Sequence, residues 1–226
     1  MNGSSSPEKS GINPFLNDID YLMQELRWVE LRSRRIELQR RLLEWDGVAE
    51  KGRLQRRQAL SLLGSAGQVE RALDEEVAVR KEIDARVQVN RTEGPSLGLD
   101  RVCTECALND FDRHLILLGV VPCLGVNAAM ESISRVDGIM TSGAIYVELV
   151  SLFMELPPQE HFKSLLRLLP GSPLRKHELI RLSYEPSTPS DAVGAGIELS
   201  GRAMAAITAM PAFNNFRGMC AAGEVE

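Results

Sequence analysis

Cys103 and Cys106 stand three residues apart, the spacing at which paired thiolates bind zinc or exchange disulfides. A structural zinc site needs four ligands, and the remaining candidates are Cys123, Cys220, His114, His161 and His177, none in a second closely spaced pair. The redox version belongs beside a βαβ unit, whereas here the motif lies in a helical run. Cys103 and Cys106 therefore read as structural thiols and only weak metal candidates, and no cofactor is expected. Asp112, Arg113 and His114 bring an acid and two bases together. Asp112, however, stands three residues after Asn109, where a helix start wants a carboxylate, and Arg113 and His114 fall on the one polar side of an apolar helix. No Ser-His-Asp or Cys-His set shows a local signature. No Gly-Lys pair occurs either, so the chain has no P-loop to cradle a nucleotide's phosphates. The expectation is a protein without a catalytic centre.

Cations are the other chemistry on offer. Arg175, Lys176 and Arg181, with His177, are the candidate phosphate contacts. A denser belt runs from Arg27 to Arg57, but Glu30, Glu37, Glu44, Asp46 and Glu50 are interspersed in it, with Glu37 and Arg41 placed for an i,i+4 pair. That belt reads as a solvated helix face. The whole chain carries a net charge of -5, which argues against a generic nucleic-acid binder.

These residues need helices to hold them. The 226 residues are 44% hydrophobic but only 5% aromatic, so the core must be aliphatic. Residues 1–12 read as a disordered polar tail and 213–226 as a frayed one. Between 13 and 90 the pattern predicts a helical hairpin or coiled coil. Asn13 and Pro14 suit a helix start, and Gly47 suits its end. Phe15, Ile19, Leu22, Leu26 and Val29 repeat at 4-3-4-3 spacing, a seam that must be covered, either by the second helix starting near Gln68 or by another chain. Residues 91–98, RTEGPSLG, read as a linker. Beyond it, Asn109 and Asp112 open a helix that is apolar nearly all round. Further helices are expected at 130–136, at 143–154 (capped by Thr141 or Ser142) and from Pro157 to Leu169. Residues 179–184 alternate as a strand, 185–196 form a flexible turn, 197–199 return, and Ser200 caps a last helix to Met210. No apolar run is long enough to cross a membrane, and the start lacks a secretory h-region, so a cytoplasmic location is expected.

The order Leu99-x-x-Val102-Cys103, a polar corner, and then Phe111-x-Arg113-x-Leu115 resembles the winged-helix-type domain upstream of the ATPase cassette in a group of bacterial AAA ATPases. Residues 173–184, PLRKHELIRLSY, resemble that family's approach to its first wing strand, and 197–207, IELSGRAMAAI, its return strand and closing helix. The resemblance covers roughly 99–210, about half of the chain, and sets a domain at 99–212. It implies a mainly α fold: a long helix or hairpin, then a winged-helix-like domain with a small two-stranded β wing. It also implies a non-catalytic module that assembles with itself, with an AAA ATPase or with that motor's substrate protein. The alternative is a winged-helix DNA-binding regulator. Against it, the helix at 143–154, GAIYVELVSLFM, placed by the resemblance where DNA readers put their recognition helix, offers only Glu148 and hydroxyls to a base edge.

Overall fold

A computed structural model describes residues 12–49, 56–124 and 145–209. The helix expected at 130–136, the Thr141 or Ser142 cap, Pro211 and the tails before Ile12 and after Ala209 lie outside these residues.

The hairpin is real, with different ends from those the pattern suggested. Helix α1 spans Asp18–Ala49 and α2 spans Arg56–Glu93. Pro14 does not start α1, because Phe15 is held outside the helix. Its amide donates to Asn90 Oδ1 at 2.7 Å, and its carbonyl accepts from Asn90 Nδ2 at 3.1 Å. Asn17 caps the helix instead, accepting from the Asp20 amide at 2.8 Å. Arg86 lies over the Phe15 ring at 3.8 Å and donates to Asp20, so the segment before α1 is strapped to the far end of α2. Gly47 does not stop α1, and α2 begins before Gln68. The span read as a linker at 91–98 is shorter too, since α2 holds to Glu93 and α3, Gly98–Glu105, follows almost at once.

The seam residues Phe15, Leu22, Leu26 and Val29 are buried and Ile19 half-buried, all within this one chain. They join a single core that continues through Leu115–Leu118 and Val147–Phe153 to Ile207. The hairpin is therefore one wall of the domain, and the seam has its partner inside the chain.

Helix α4 spans Asp110–Leu124 and opens on a capping box: Asn109 Oδ1 accepts from the Asp112 amide at 2.9 Å, and Asp112 Oδ2 accepts from the Asn109 amide at 3.2 Å. Then come α5 (Val147–Phe153), α6 (Pro158–Leu165) with a 3₁₀ turn at Leu166–Leu168, and the short α7 (Pro173–Lys176). Strands β1 (Ile180–Leu182) and β2 (Ile197–Leu199) pair antiparallel, Arg181 opposite Glu198. Helix α8, Gly201–Thr208, is capped by Ser200 Oγ, which accepts from the Ala203 amide at 3.0 Å. Ile145, expected in a helix, instead forms an antiparallel bridge with Ile197. Its amide and carbonyl exchange bonds of 3.0 and 2.7 Å with Ile197, so β2 has a neighbour on each side. The span 183–196 is compact rather than loose. Tyr184 donates its hydroxyl to the carbonyls of Asp191 and Val193 at 2.7 and 2.9 Å, and Ala192 and Ala195 are buried.

Candidate interaction interface

Helices α5 and α6, joined through Met154–Pro157, form a helix-turn-helix. The resemblance placed 143–154 where DNA readers put their recognition helix, but its sequence is too apolar to read bases. In the structure Val147, Leu149, Val150, Ser151 and Phe153 of α5 are indeed buried, because this helix is laid against α4 and the hairpin. The second helix, α6, holds the outward position. It buries Ser164 and Leu165 and exposes Gln159, Glu160, Phe162 and Lys163, with Leu166 exposed just beyond. Lys163 Nζ sits 2.7 Å from Glu160 Oε1, so the face is close to neutral.

The turn between the two helices is fixed from both sides. Glu155 has φ of 54°, its amide donates to Leu152 O at 3.0 Å, and the Leu156 amide donates to Ser151 O at 2.9 Å. This is the left-handed helix end usually given to glycine. A glutamate stands here, and its carboxylate meets the hairpin: Arg35 Nη2 donates to it at 2.7 Å and Arg32 Nη2 at 3.2 Å. Arg32 also donates to Phe153 O at 2.6 Å and to Glu76 at 2.7 Å, and Arg35 Nε donates to Glu76 at 2.5 Å. The Arg35 bond, against the opposing effect of burial, holds the Glu155 carboxyl below the usual carboxylate range. Thus α1, α2 and the turn share one ion network.

A second network lies nearer the α4 start. Glu25 is fully buried, yet Arg80 donates to it at 2.9 Å and Arg113 at 2.5 Å. Burial alone would raise the Glu25 carboxyl, but Arg113 and Arg80 outweigh it and the net direction is down. Tyr21 accepts from Arg113 at 2.6 Å, and burial followed by the charge of Glu25 pushes its hydroxyl up. Between the networks Trp28 stacks edge-on to Phe153 at 5.4 Å, with Arg32 and Arg80 over its ring at 5.4 and 5.3 Å. His114 lies against Trp28 at 5.5 Å, and burial pushes its imidazole below the ordinary value. Arg113 and His114 were read as a polar side of α4; they are its contact with the hairpin. Asp112 is buried and takes both forks of Arg167, tying the α4 cap to the end of α6.

The remaining sequence candidates scatter. Cys103 lies in the last turn of α3 and Cys106 is its C-cap, the end of a helix that disfavours a thiolate. Burial pushes the Cys103 thiol up to about 11 and raises Cys106 as well. Among the described residues, no group of three or more His, Cys, Asp or Glu is placed to hold a metal ion. Arg175 is tied to Glu185 across the wing base, while Lys176 and Arg181 are exposed. No described helix is long and apolar enough to cross a membrane.

Sequence reasoning missed Arg32, Arg35, Glu76 and Glu25 as structural charges. All sit among other charges on long helices, and no local signal separates an inward arginine from a solvated one. What joins the parts is the order of elements: helix α4, the Ile145 bridge, two helices with a tight turn, then a two-stranded hairpin and a closing helix. No curated protein and no solved structure matches the chain. The family described as "Winged helix domain, variant" matches residues 3–212, hairpin included. The chain therefore belongs to the winged helix domain, variant, family.

Proposed function

We propose that this chain is a non-catalytic interaction module that binds protein rather than DNA, of the kind that serves AAA ATPases as an N-terminal assembly or substrate-engaging region. The observation that carries the reading is the outward face of α6. Phosphates and base edges call for unpaired donors on the helix that enters a groove. Here that helix presents Phe162, with Leu166 just past its end, and its lysine is matched by Glu160. The wing supports the same reading: 183–196 contains Glu185 and Asp191 and no lysine or arginine. An acidic wing repels a phosphate backbone. Self-association through Phe15, Ile19, Leu22, Leu26 and Val29 would require opening the hairpin, so a partner meets some other surface.

The DNA-binding alternative keeps Lys176 and Arg181 as its phosphate contacts. The test is fluorescence anisotropy with a labelled 30-base-pair duplex in about 50 mM salt, where non-specific binding is strongest. The expected result is no change in anisotropy. Binding that weakens with salt and disappears in Lys176→Ala/Arg181→Ala would overturn the proposal. The AAA link is tested by reading the coding sequence on either side of this frame: an ATPase cassette with a P-loop is expected in frame or adjacent, and neighbours without one count against it.

A further inference from the structure

A groove of about 550 Å³ runs between the C-terminal part of α1 and the α5–α6 corner. Ile36, Leu43, Leu152, Leu156 and Pro158 supply its apolar lining, and His161 joins them, its Nδ1 2.7 Å from Ser151 Oγ. The groove opens onto the outward face of α6, because Phe162 follows Pro158 at i+4 on that helix and Leu166 stands exposed just past its end. Pro158 thus belongs to both. Leu43 is 69% exposed, Phe162 55% and Leu166 48%, three of the largest apolar exposures among the described residues.

Three features select the occupant. The first is area. The three exposed side chains offer on the order of 300 Å², against the roughly 800 Å² per partner that a stable protein pair buries. That suits a single element better than a second copy of this chain. The second is volume. A groove of about 550 Å³ takes only a few large side chains, the requirement of a helix seated through a short row of apolar anchors. The third is charge. Arg40 and Glu155, the lysine, arginine or carboxylate side chains that line the groove, are of opposite sign, so it gives no net attraction to a strongly charged ligand.

We propose that the groove between α1 and the helix-turn-helix, with Phe162 and Leu166 as its lip, docks one amphipathic helix of a protein partner. That helix seats apolar side chains at i, i+3 or i+4, and i+7, and is charge-balanced along its edges. This deepens the interaction-module reading and rests on it.

The test uses the full chain and a phage-displayed library of 16-residue helices. The outer face is fixed as Glu/Lys i,i+4 pairs and the inner-face positions are randomised. Clones enriched on the wild-type protein are measured against Leu43→Glu and Phe162→Glu. Both sites are exposed, and thermal melting verifies that both variants fold. The expected result is convergence on Leu, Phe, Met or Ile at the inner positions and binding at least about 10-fold weaker to each variant. Clones that bind wild type and variants alike would overturn the groove, as would convergence on charged residues. A wild-type dimer in sedimentation that Phe162→Glu makes monomeric would also overturn it, by naming a second copy as occupant. Salt-sensitive duplex binding would defeat the protein-binding reading itself; a failed library screen without duplex binding defeats only the groove.

Discussion

Replacing Glu25 by glutamine keeps the shape of a fully buried side chain and removes one charge. In the folded protein that carboxylate faces Arg80 at 2.9 Å and Arg113 at 2.5 Å, and Arg113 is also held by Tyr21. Glutamine leaves no cavity, so the cost is electrostatic: a mostly enclosed guanidinium pair keeps its charge and loses its counter-ion. Breaking one side of a buried pair costs about 3–5 kcal/mol. Because glutamine still offers one acceptor, the lower end is expected, about 3 kcal/mol. In a chain of this length that lowers the melting temperature by about 6–12 °C. The sign of the pH dependence follows from the lowered carboxyl. A group with a depressed folded value contributes stability in full above its unfolded value, and loses it as pH falls through the folded one. The gap between wild type and Glu25→Gln should therefore be complete at pH 7 and close progressively below the ordinary carboxylate value of 4.5. Urea melts at pH 7, 5, 4 and 3 read this directly. A gap under about 1 kcal/mol at pH 7, or one unchanged at pH 3, would refute the reasoning.

Gly98→Ala should destabilise by about 1–3 kcal/mol in the same melts, since a Cβ there meets the Ile207 carbonyl oxygen at 2.2 Å and backbone of α8 must move. Ala107→Gly should stabilise by about 0.5–1 kcal/mol, because Ala107 is exposed at φ of 51°, a conformation glycine adopts without cost from a Cβ. Glu155→Gly relieves the same kind of strain but loses the Arg32 and Arg35 contacts, so it should not stabilise; a gain equal to that of Ala107→Gly would show that the Glu155 network contributes nothing. Cys103, raised to about 11 by burial, should react with iodoacetamide at pH 8 much more slowly in the folded chain than in 6 M urea, as peptide mass spectrometry would show.

Local chemistry reached the reader directly wherever a short-range interaction decides the structure. Asn109 with Asp112 and Ser200 at the last helix are caps formed within three residues, so residue type and spacing suffice. The alternation at 179–184 marked the first strand for the same reason, and the resemblance marked its return at 197–199. Phe15 shows the limit. Its neighbours Asn13 and Pro14 favour a helix start, but Asn90, 75 residues away, takes both of its backbone groups, and a distant hydrogen bond overrides a local preference. The interface shows the same limit more sharply. The helix expected at 143–154 is as apolar as a core helix, and its described helical part, Val147–Phe153, proved to be one; which of two adjacent helices turns outward depends on what α4 and the hairpin cover.

The sequence by itself determined the helical class, the wing, the caps of α4 and α8 and the absence of a Gly-Lys P-loop motif, because each follows from contacts a few residues long or from the residue order itself. Only the tertiary structure decided that the Phe15–Val29 seam is satisfied within the chain, that Arg32 and Arg35 point inward to Glu76 and Glu155, and that Phe162 and Leu166 remain exposed. Those outcomes depend on how elements separated by about forty to more than a hundred residues compete to bury the same surface, and no local pattern records the result of that competition.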